Sequence, residues 1–490
     1  MIRVRASLAT LMLLAGCAMG PTYHPPEGIP QAARIGSDGT GTPTRAFFDS
    51  LVAARAADSM APLAPASKVQ TLTPDSMADV AWIQILRDTT LLRLVHTAVQ
   101  QNRDVQVAIG RIREFRGLVG VSRGPLLPSL TANASASTNQ VAIGAFPPTS
   151  YNALRATADV AWELDFWGRI RRGIEASRAD VGAQEANERS VLLSLVSNVA
   201  SGYLQLLELD QEHGIAERTL ASRQQTLALA RSRFNQGVIS ELDVRQFEAE
   251  VAVPATTLAQ TDRLRAQQEH ALSQLLGQAP GQIPRGGSLT EAVSLLLVPD
   301  SLPAALLARR PDLQLAERQY AAATARIGVA AASRLPTIAI TGSYGTQSSN
   351  TGNLFTSQAE VYQLLGGISI PLFTGGRLSG QLEAARGRAD QARATYEQAV
   401  LTALHDASDA LASVRSARDQ TAAQQTQVQA LRRALGLAEL RYRTGVASYL
   451  EVLDAQRGLF TAELSLSQSE LLELTSAVQL YRALGGSWRQ

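Results

Sequence analysis

Apolar residues recur at three-and-four spacing over long stretches of this chain and at every second position over four short ones, which predicts a mainly helical protein with a small sheet. The helical period begins at Ala81. Leu91, Leu94, Val95, Ala98 and Val99 carry it, and the segment is expected to run to about Ser122, with a counterpart from Pro303 to about Ser333. Between Ile170 and Gln236 no proline occurs, while Leu192, Leu195, Val196, Val199, Leu206, Leu209 and Leu220 keep an apolar stripe. A helix of that span is about 100 Å long. Leu378 to Thr444 repeats it, again without proline. Helices of this length exceed those of an ordinary globular domain, so coiled packing is expected.

Both long helices are followed by the same punctuation. Gly237 and Gly445 stand where a helix ends in the left-handed conformation. Ser240-Glu241-Leu242-Asp243 and Ser448-Tyr449-Leu450-Glu451 then restart a helix, each with Ser at the cap and a carboxylate three residues on. Two sharp helical hairpins follow, with Leu242–Leu276 and Leu450–Leu484 as returning limbs and a kink expected at Pro254.

The alternating segments are Pro128–Gln140, Leu154–Leu164, Thr337–Gln347 and Tyr362–Leu372. Strands of about ten residues are long enough to cross a membrane as part of a tilted barrel. A soluble antiparallel sheet with one wet face has the same pattern. In the barrel reading, Val141–Asn152 and Ser348–Glu360 are the outer loops. No mature stretch is expected to cross the membrane as a helix. Four strands cannot close a barrel, and an open edge cannot face lipid, so other copies of the chain must complete it.

The two halves are versions of one segment. Arg233-Phe234-Asn235-Gln236-Gly237-Val238 lies over Arg441-Tyr442-Arg443-Thr444-Gly445-Val446 at a displacement of 208. The same displacement places Asn102–Ala108 over Arg310–Ala316, Leu127-Pro128 over Leu335-Pro336 and Leu276-Gly277 over Leu484-Gly485, slipping to 207 only around Phe166 and Phe373. A period this long marks a duplicated half rather than a solenoid unit. The chain divides into residues 1–17, 18–80, a first repeat at 81–283 and a second at 284–490.

Composition sharpens this picture. Aromatics make up 5% of the 490 residues, and Ala and Leu abound, which suits helices packed closely side by side. Lys68 is the sole lysine, and the 45 basic residues are scattered against 43 acids, so no nucleic-acid footprint is present. Arg3 and Arg5, the apolar run Ala6–Leu14 and Leu14-Ala15-Gly16-Cys17 read as a targeting segment. It resembles a bacterial lipoprotein signal whose cysteine is lipidated; an ordinary secretory signal with an incidental Cys17 is the alternative. Ala18, rather than Asp, then favours the outer membrane. Residues 18–80, rich in Ala, Pro, Ser and Thr, read as a linker, flexible or draped over the body.

Candidate chemistry is absent from the pattern. His24, His96, His213, His270 and His405 show no HExxH or paired metal-ligand spacing, and no phosphate-cradling glycine loop occurs. Asp165-Phe166-Trp167-Gly168 resembles a kinase loop only in passing, since every companion motif is missing. No catalytic residue, cofactor or metal is expected.

Over Trp82–Trp488 the chain resembles the outer-membrane efflux factors, and most closely the lipoprotein branch of RND-type tripartite systems. The resemblance rests on Trp162-Glu163-Leu164-Asp165-Phe166-Trp167-Gly168-Arg169, on Ile370-Pro371-Leu372-Phe373-Thr374-Gly375-Gly376-Arg377, on Arg441–Val446 with Tyr449–Arg457, and on Leu484-Gly485-Gly486. It implies long α-helical hairpins forming a trimeric α-barrel, continuous with a twelve-stranded outer-membrane β-barrel to which each protomer gives four strands. The implied function is a passive exit duct for small molecules such as drugs. The implied partners are two further copies, a periplasmic adaptor of the membrane-fusion type, an inner-membrane RND-type transporter and outer-membrane lipid. Metal efflux, type I protein secretion and a non-conducting structural lipoprotein are the alternatives.

The resemblance also implies sites. Leu450, Glu451 and Asp454 match the periplasmic gate, where three copies of Asp454 surround the axis and favour cations. Glu451 has the competing use of capping the helix at Ser448. Tyr442 and Asp243 match a hydrogen-bonded latch between the hairpins, with a capping box at Ser240 as the competing use of Asp243. Gly237, Val238, Gly445 and Val446 match the adaptor-contact tips, although both glycines are equally explained as helix stops.

Overall fold

The computed structural model describes residues 19–23, 34–36, 88–142, 144, 148–291 and 301–486. The signal, most of the linker, the first seven residues of the expected opening helix and Trp488 lie outside them. In chain order the elements are β1 (Arg34–Gly36), α1 (Thr89–Gln101), α2 (Arg103–Arg123), β2 (Ser129–Val141), β3 (Thr149–Leu164), α3 (Arg169–Asn235), α4 (Glu241–Leu275), β4 (Ser301–Pro303), α5 (Pro311–Ala332), β5 (Thr337–Ser348), β6 (Glu360–Ser369), α6 (Arg377–Arg443) and α7 (Tyr449–Ala483).

The duplication is visible residue by residue. Helices α3 and α6 each have 67 residues and α4 and α7 each 35, starting and ending 208 positions apart. Each expected short helix is broken at one residue. Asn102 (ψ 134°) separates α1 from α2, and Arg310 (ψ 127°) separates a six-residue 3-10 turn from α5. At each break a side chain reaches the end of the returning limb: Asn102 Nδ2 donates to Leu275 O at 2.9 Å, and Arg310 Nη1 donates to Ala483 O at 3.0 Å. An amide and a guanidinium thus satisfy the same orphan helix-end carbonyl in the two halves. Helix α4 runs through Pro254 without interruption.

Apolar stripes meet where the sequence places them. Leu91, Leu94 and Ala98 of α1 pack with Leu195, Val199, Tyr203 and Leu204 of α3, Leu272 of α4 and Val478 of α7. A second cluster joins Leu313 and Ala316 of α5 to Tyr396, Val400, Ala403 and Leu411 of α6 and Leu480 of α7. Alanines recur at these contacts because only small side chains let helices approach closely. One window of α3 is long and apolar enough to cross a membrane by composition alone, contrary to the sequence expectation. Its Leu195, Val199, Leu204 and Leu206 lie in the first cluster, so a helix core accounts for the apolar run.

The linker is draped over the body at its described residues. Met19 N donates to Trp167 O at 3.0 Å, and Arg172 donates to the carbonyls of Met19 and Gly20. Tyr23 is buried edge-on against Tyr320 and donates to Glu317. Strand β1 pairs antiparallel with β4.

The four long strands form one antiparallel sheet, ordered β2-β3-β5-β6, to which both halves contribute. Its register puts Leu130, Ala132, Ala134 and Ala136 opposite Val160, Ala158, Ala156 and Leu154, and then Val160, Trp162 and Leu164 opposite Gly342, Ile340 and Ile338. Ile338, Gly342 and Tyr344 in turn face Ile368, Leu364 and Tyr362. Directly opposed residues share a face, so all of these line one side. The other side carries Ser129, Thr131, Asn133, Asp159, Arg155, Ser343 and Gln363.

Candidate functional site: an uncovered apolar sheet and the hairpin tips

Among the described residues no element covers the apolar side of the sheet. Leu130, Tyr344, Tyr362, Leu364 and Ile368 are 60–85% exposed. A wet-faced soluble sheet buries its apolar side and wets its polar one, whereas here the apolar side is bare. On the polar side Asn133 Nδ2 donates to Asp159 Oδ2 at 2.6 Å, and Thr157 Oγ1 also donates there. The arrangement is that of a β-barrel wall with lipid outside and a polar lumen inside. Strands β2 and β6 are the outermost and have one unpaired edge each.

The sheet joins the helices through the tryptophan- and glycine-rich segments. Asp165 caps α3 by accepting from the N–H groups of Ile170 and Arg171, both at 2.9 Å. Arg169 holds Glu163 with two parallel hydrogen bonds of 3.0 and 2.7 Å, and Trp167 Nε1 donates to Pro336 O. Those side chains fix the angle at which strand becomes helix. Leu372 and Phe373, in the equivalent segment of the second half, are each 91% exposed.

At the opposite end of the helices, about 100 Å away along α3 and α6, the chain reverses twice. Gly237 (φ +72°) and Gly445 (φ +74°) are left-handed, and Val238 N and Val446 N donate back to Arg233 O and Arg441 O, each at 2.9 Å. These are Schellman stops. Val238 and Val446 are exposed at the extreme tips, as are Leu242 and Leu450 one turn beyond.

The two restarts differ. Ser240 and Asp243 form a complete capping box: Asp243 N donates to Ser240 Oγ at 3.2 Å, and Ser240 N donates to Asp243 Oδ2 at 2.9 Å. Ser448 makes no such side-chain cap, and Glu451 instead lies 3.7 Å from Arg441. Glu451 is thereby left without its competing use. Asp454 is exposed, 3.9 Å from Arg457.

Tyr442 is brought to Arg233 rather than to Asp243, which corrects the expected latch. Arg233 Nη1 donates to Tyr442 Oη at 2.6 Å and its guanidinium sits 5.3 Å over the tyrosine ring, while Asp243 is turned onto Ser240. Tyr449 extends the contact: its ring lies edge-on to Tyr442 at 5.3 Å and 4.0 Å from Phe247. Burial, aided by Tyr442 and Glu250, pushes the Tyr449 hydroxyl pKa well up. Beneath these rings Arg223, Glu250 and Arg457 form an ion triad that sequence reasoning did not single out. Its signal was a break in the repeat, since Arg223 and Glu250 stand where the second half has Leu431 and Gly458.

The model of the outer membrane efflux protein family matches this chain twice, over residues 94–278 and 302–486, at the displacement of the internal repeat. The chain belongs to the outer membrane efflux protein family. The solvent efflux pump outer membrane protein SrpC of Pseudomonas putida is 34% identical over 98% of this chain and 97% of its own. The cation efflux system protein CusC of an Escherichia coli strain is 30% identical over 98% and 97%. The solved structure of the outer-membrane channel OprN superposes with a TM-score of 0.80 at 29% identity, covering 96% of this chain and all of OprN. As a member of the outer membrane efflux proteins, the chain is an efflux-pump channel component in the outer membrane that extends into the periplasm. Its sheet is the membrane part and its hairpins the periplasmic part. Cys17 lies outside the described residues.

Proposed function

We propose that three copies close into one duct and that this duct is the passive outer-membrane exit of a tripartite pump. The observation that carries the reading is the bare apolar face of a sheet whose two edges are unpaired. Neither feature is tolerated in lipid until other chains pair the edges. Each copy brings four strands, so three give twelve, an allowed even number. The same symmetry gathers the paired hairpins into a helical tunnel beneath the barrel.

The exposed tip residues Val238, Leu242 and Val446, flanking the stops at Gly237 and Gly445, are the proposed contact for a periplasmic adaptor. An inner-membrane transporter of RND type supplies the energy. Leu450, Glu451 and Asp454 are the proposed gate, with Asp454 as its acidic ring: it is exposed, and its equivalent in the first hairpin is the uncharged Gln246. Cys17 is proposed as a lipid anchor. Two residues later Met19 is fixed to Trp167, at the rim where β3 gives way to α3, within reach of the periplasmic leaflet. The cargo is proposed to be small organic molecules rather than cations, in keeping with the higher identity to the solvent-pump relative.

Epitope tags at Gly144 and Asn353, between the strands of each hairpin, test the orientation and assembly together. Tags reachable on intact cells and a purified particle of three protomers are expected. A monomer with hidden tags contradicts the reading.

A further inference from the structure

The two hairpins of one protomer are joined near their tips by three charges, two buried and one half exposed, and the three are not equivalent. Glu250 of α4 and Arg223 of α3 belong to the first hairpin, and both side chains are under a tenth exposed. Arg223 Nη1 donates to Glu250 O at 2.7 Å and lies 3.0 Å from Oε2. Arg457 comes from α7 of the second hairpin, where Nε donates to Glu250 Oε1 at 2.7 Å and Nη2 lies 2.5 Å away. The side chain of Arg457 is half exposed and also reaches toward Asp454. Phe460, one turn on from Arg457, sits under the Arg223 guanidinium at 5.4 Å.

This charge pattern makes the contact releasable. Breaking an ordinary buried ion pair leaves an uncompensated charge and is strongly unfavourable. Here Glu250 keeps Arg223 when Arg457 departs, and Arg457 leaves for water, which it already touches. Burial lowers the pKa of Arg223 and the Glu250 carboxylate opposes that shift, so the pair within the first hairpin has reason to persist. The internal repeat isolates the feature. Leu431 and Gly458 of the second hairpin occupy the place of Arg223 and Glu250, so close that a Cβ added at Gly458 would lie 3.4 Å from Leu431, and Ala249 of the first stands where Arg457 is. An uncharged leucine and glycine thus stand in the second hairpin where the first has an ion pair, and that ion pair faces Arg457.

We propose that Arg457 is a positioning residue for the gate, clamping α7 and its Asp454 against the first hairpin through Glu250 and releasing when the hairpins part. The proposal rests on the reading of Asp454 as a gate residue and names what holds that gate shut. With Arg457 bound to Glu250, the first turns of α7 cannot move away from α4. Without it, the hairpins are held at the tips by Arg233 and Tyr442 and by the Phe247–Tyr449 packing.

Planar-bilayer recording of the purified full-length protein tests this with Arg457→Gln, Arg457→Lys and Asp454→Ala beside the wild type. Arg457→Gln is expected to raise the open fraction about fivefold, as loss of one half-exposed pair per copy allows, with assembly and thermal midpoint unchanged. Arg457→Lys, which keeps the charge but not the fork, should fall between. Raising salt from about 0.1 M to about 1 M should also open the wild type and leave Arg457→Gln unmoved, since a half-exposed pair is screened. A wild-type open fraction in Arg457→Gln overturns the clamp while a changed cation block in Asp454→Ala keeps the gate. Should Arg457→Gln fail to assemble, a salt-independent wild type overturns the clamp and a salt-opened one supports it. A wild type that carries no current overturns the duct reading, and the clamp with it.

Discussion

Gly237 and Gly277 share a left-handed backbone, with φ of +72° and +70°, yet their surroundings differ completely. A Cβ at Gly237 would meet nothing within 4 Å, whereas one at Gly277 would lie 2.4 Å from Gln101 O, where the returning limb crosses the end of α1. Gly237→Ala should therefore cost about 1 kcal/mol, the price of the backbone alone. Gly277→Ala adds a clash with backbone that cannot move aside, and a loss of more than about 2 kcal/mol is expected. Thermal unfolding followed by helix signal checks the contrast; equal losses would mean that the crossing at Gln101 is loose. Single residues were legible in the sequence where one backbone conformation demands one residue type, as at Gly237 and Gly445. They were illegible where partners are remote. The breaks at Asn102 and Arg310 carry local signals, an asparagine cap and the following Pro311, but nothing local shows that both side chains satisfy carbonyls 173 residues away along the chain. Ser448 and Glu451 carry the spacing of a capping box and do not form one, since Glu451 turns to Arg441 instead.

Strands and helices were legible in kind because each keeps its own hydrophobic period. Strand β3 begins five residues earlier than its alternation suggests, at Thr149, and β6 ends at Ser369, short of Leu372. The segment Ile370–Phe373 is apolar enough to extend a strand but leads into the left-handed Gly375 and Gly376 that start α6. The alternation left two kinds of sheet open, and the bare apolar face chooses between them. Neighbours in β6 test that choice, because Leu364 belongs to the apolar side and Gln363 to the polar side. Leu364→Arg should cost roughly 2–4 kcal/mol per copy near the bilayer midplane and deplete the outer-membrane fraction. Gln363→Arg should assemble normally. The reverse ranking would turn the sheet inside out.

For the molecule as a whole, the plan is legible in the duplication, since a displacement of 208 requires two similar hairpins and two similar strand pairs. It could not show that the halves are inseparable. Strands from both enter one sheet, and α3 of the first half shares a core with α7 of the second. Nor could it show how the hairpins hold each other, because Arg233 with Tyr442 and Arg457 with Glu250 are pairs more than 200 residues apart, each joining one half to the other. The proposed gate likewise draws on one half only, Asp454 having Gln246 as its counterpart.

The proposed duct conducts and is closed at an acidic ring near the periplasmic tips. Single-channel recording of the wild type against Asp454→Ala tests it most directly, because threefold closure removes three facing charges with one substitution. Currents that divalent and trivalent cations block are expected from the wild type, and from Asp454→Ala a larger conductance with weaker block. Conductance and cation block left unaltered by the substitution would contradict it.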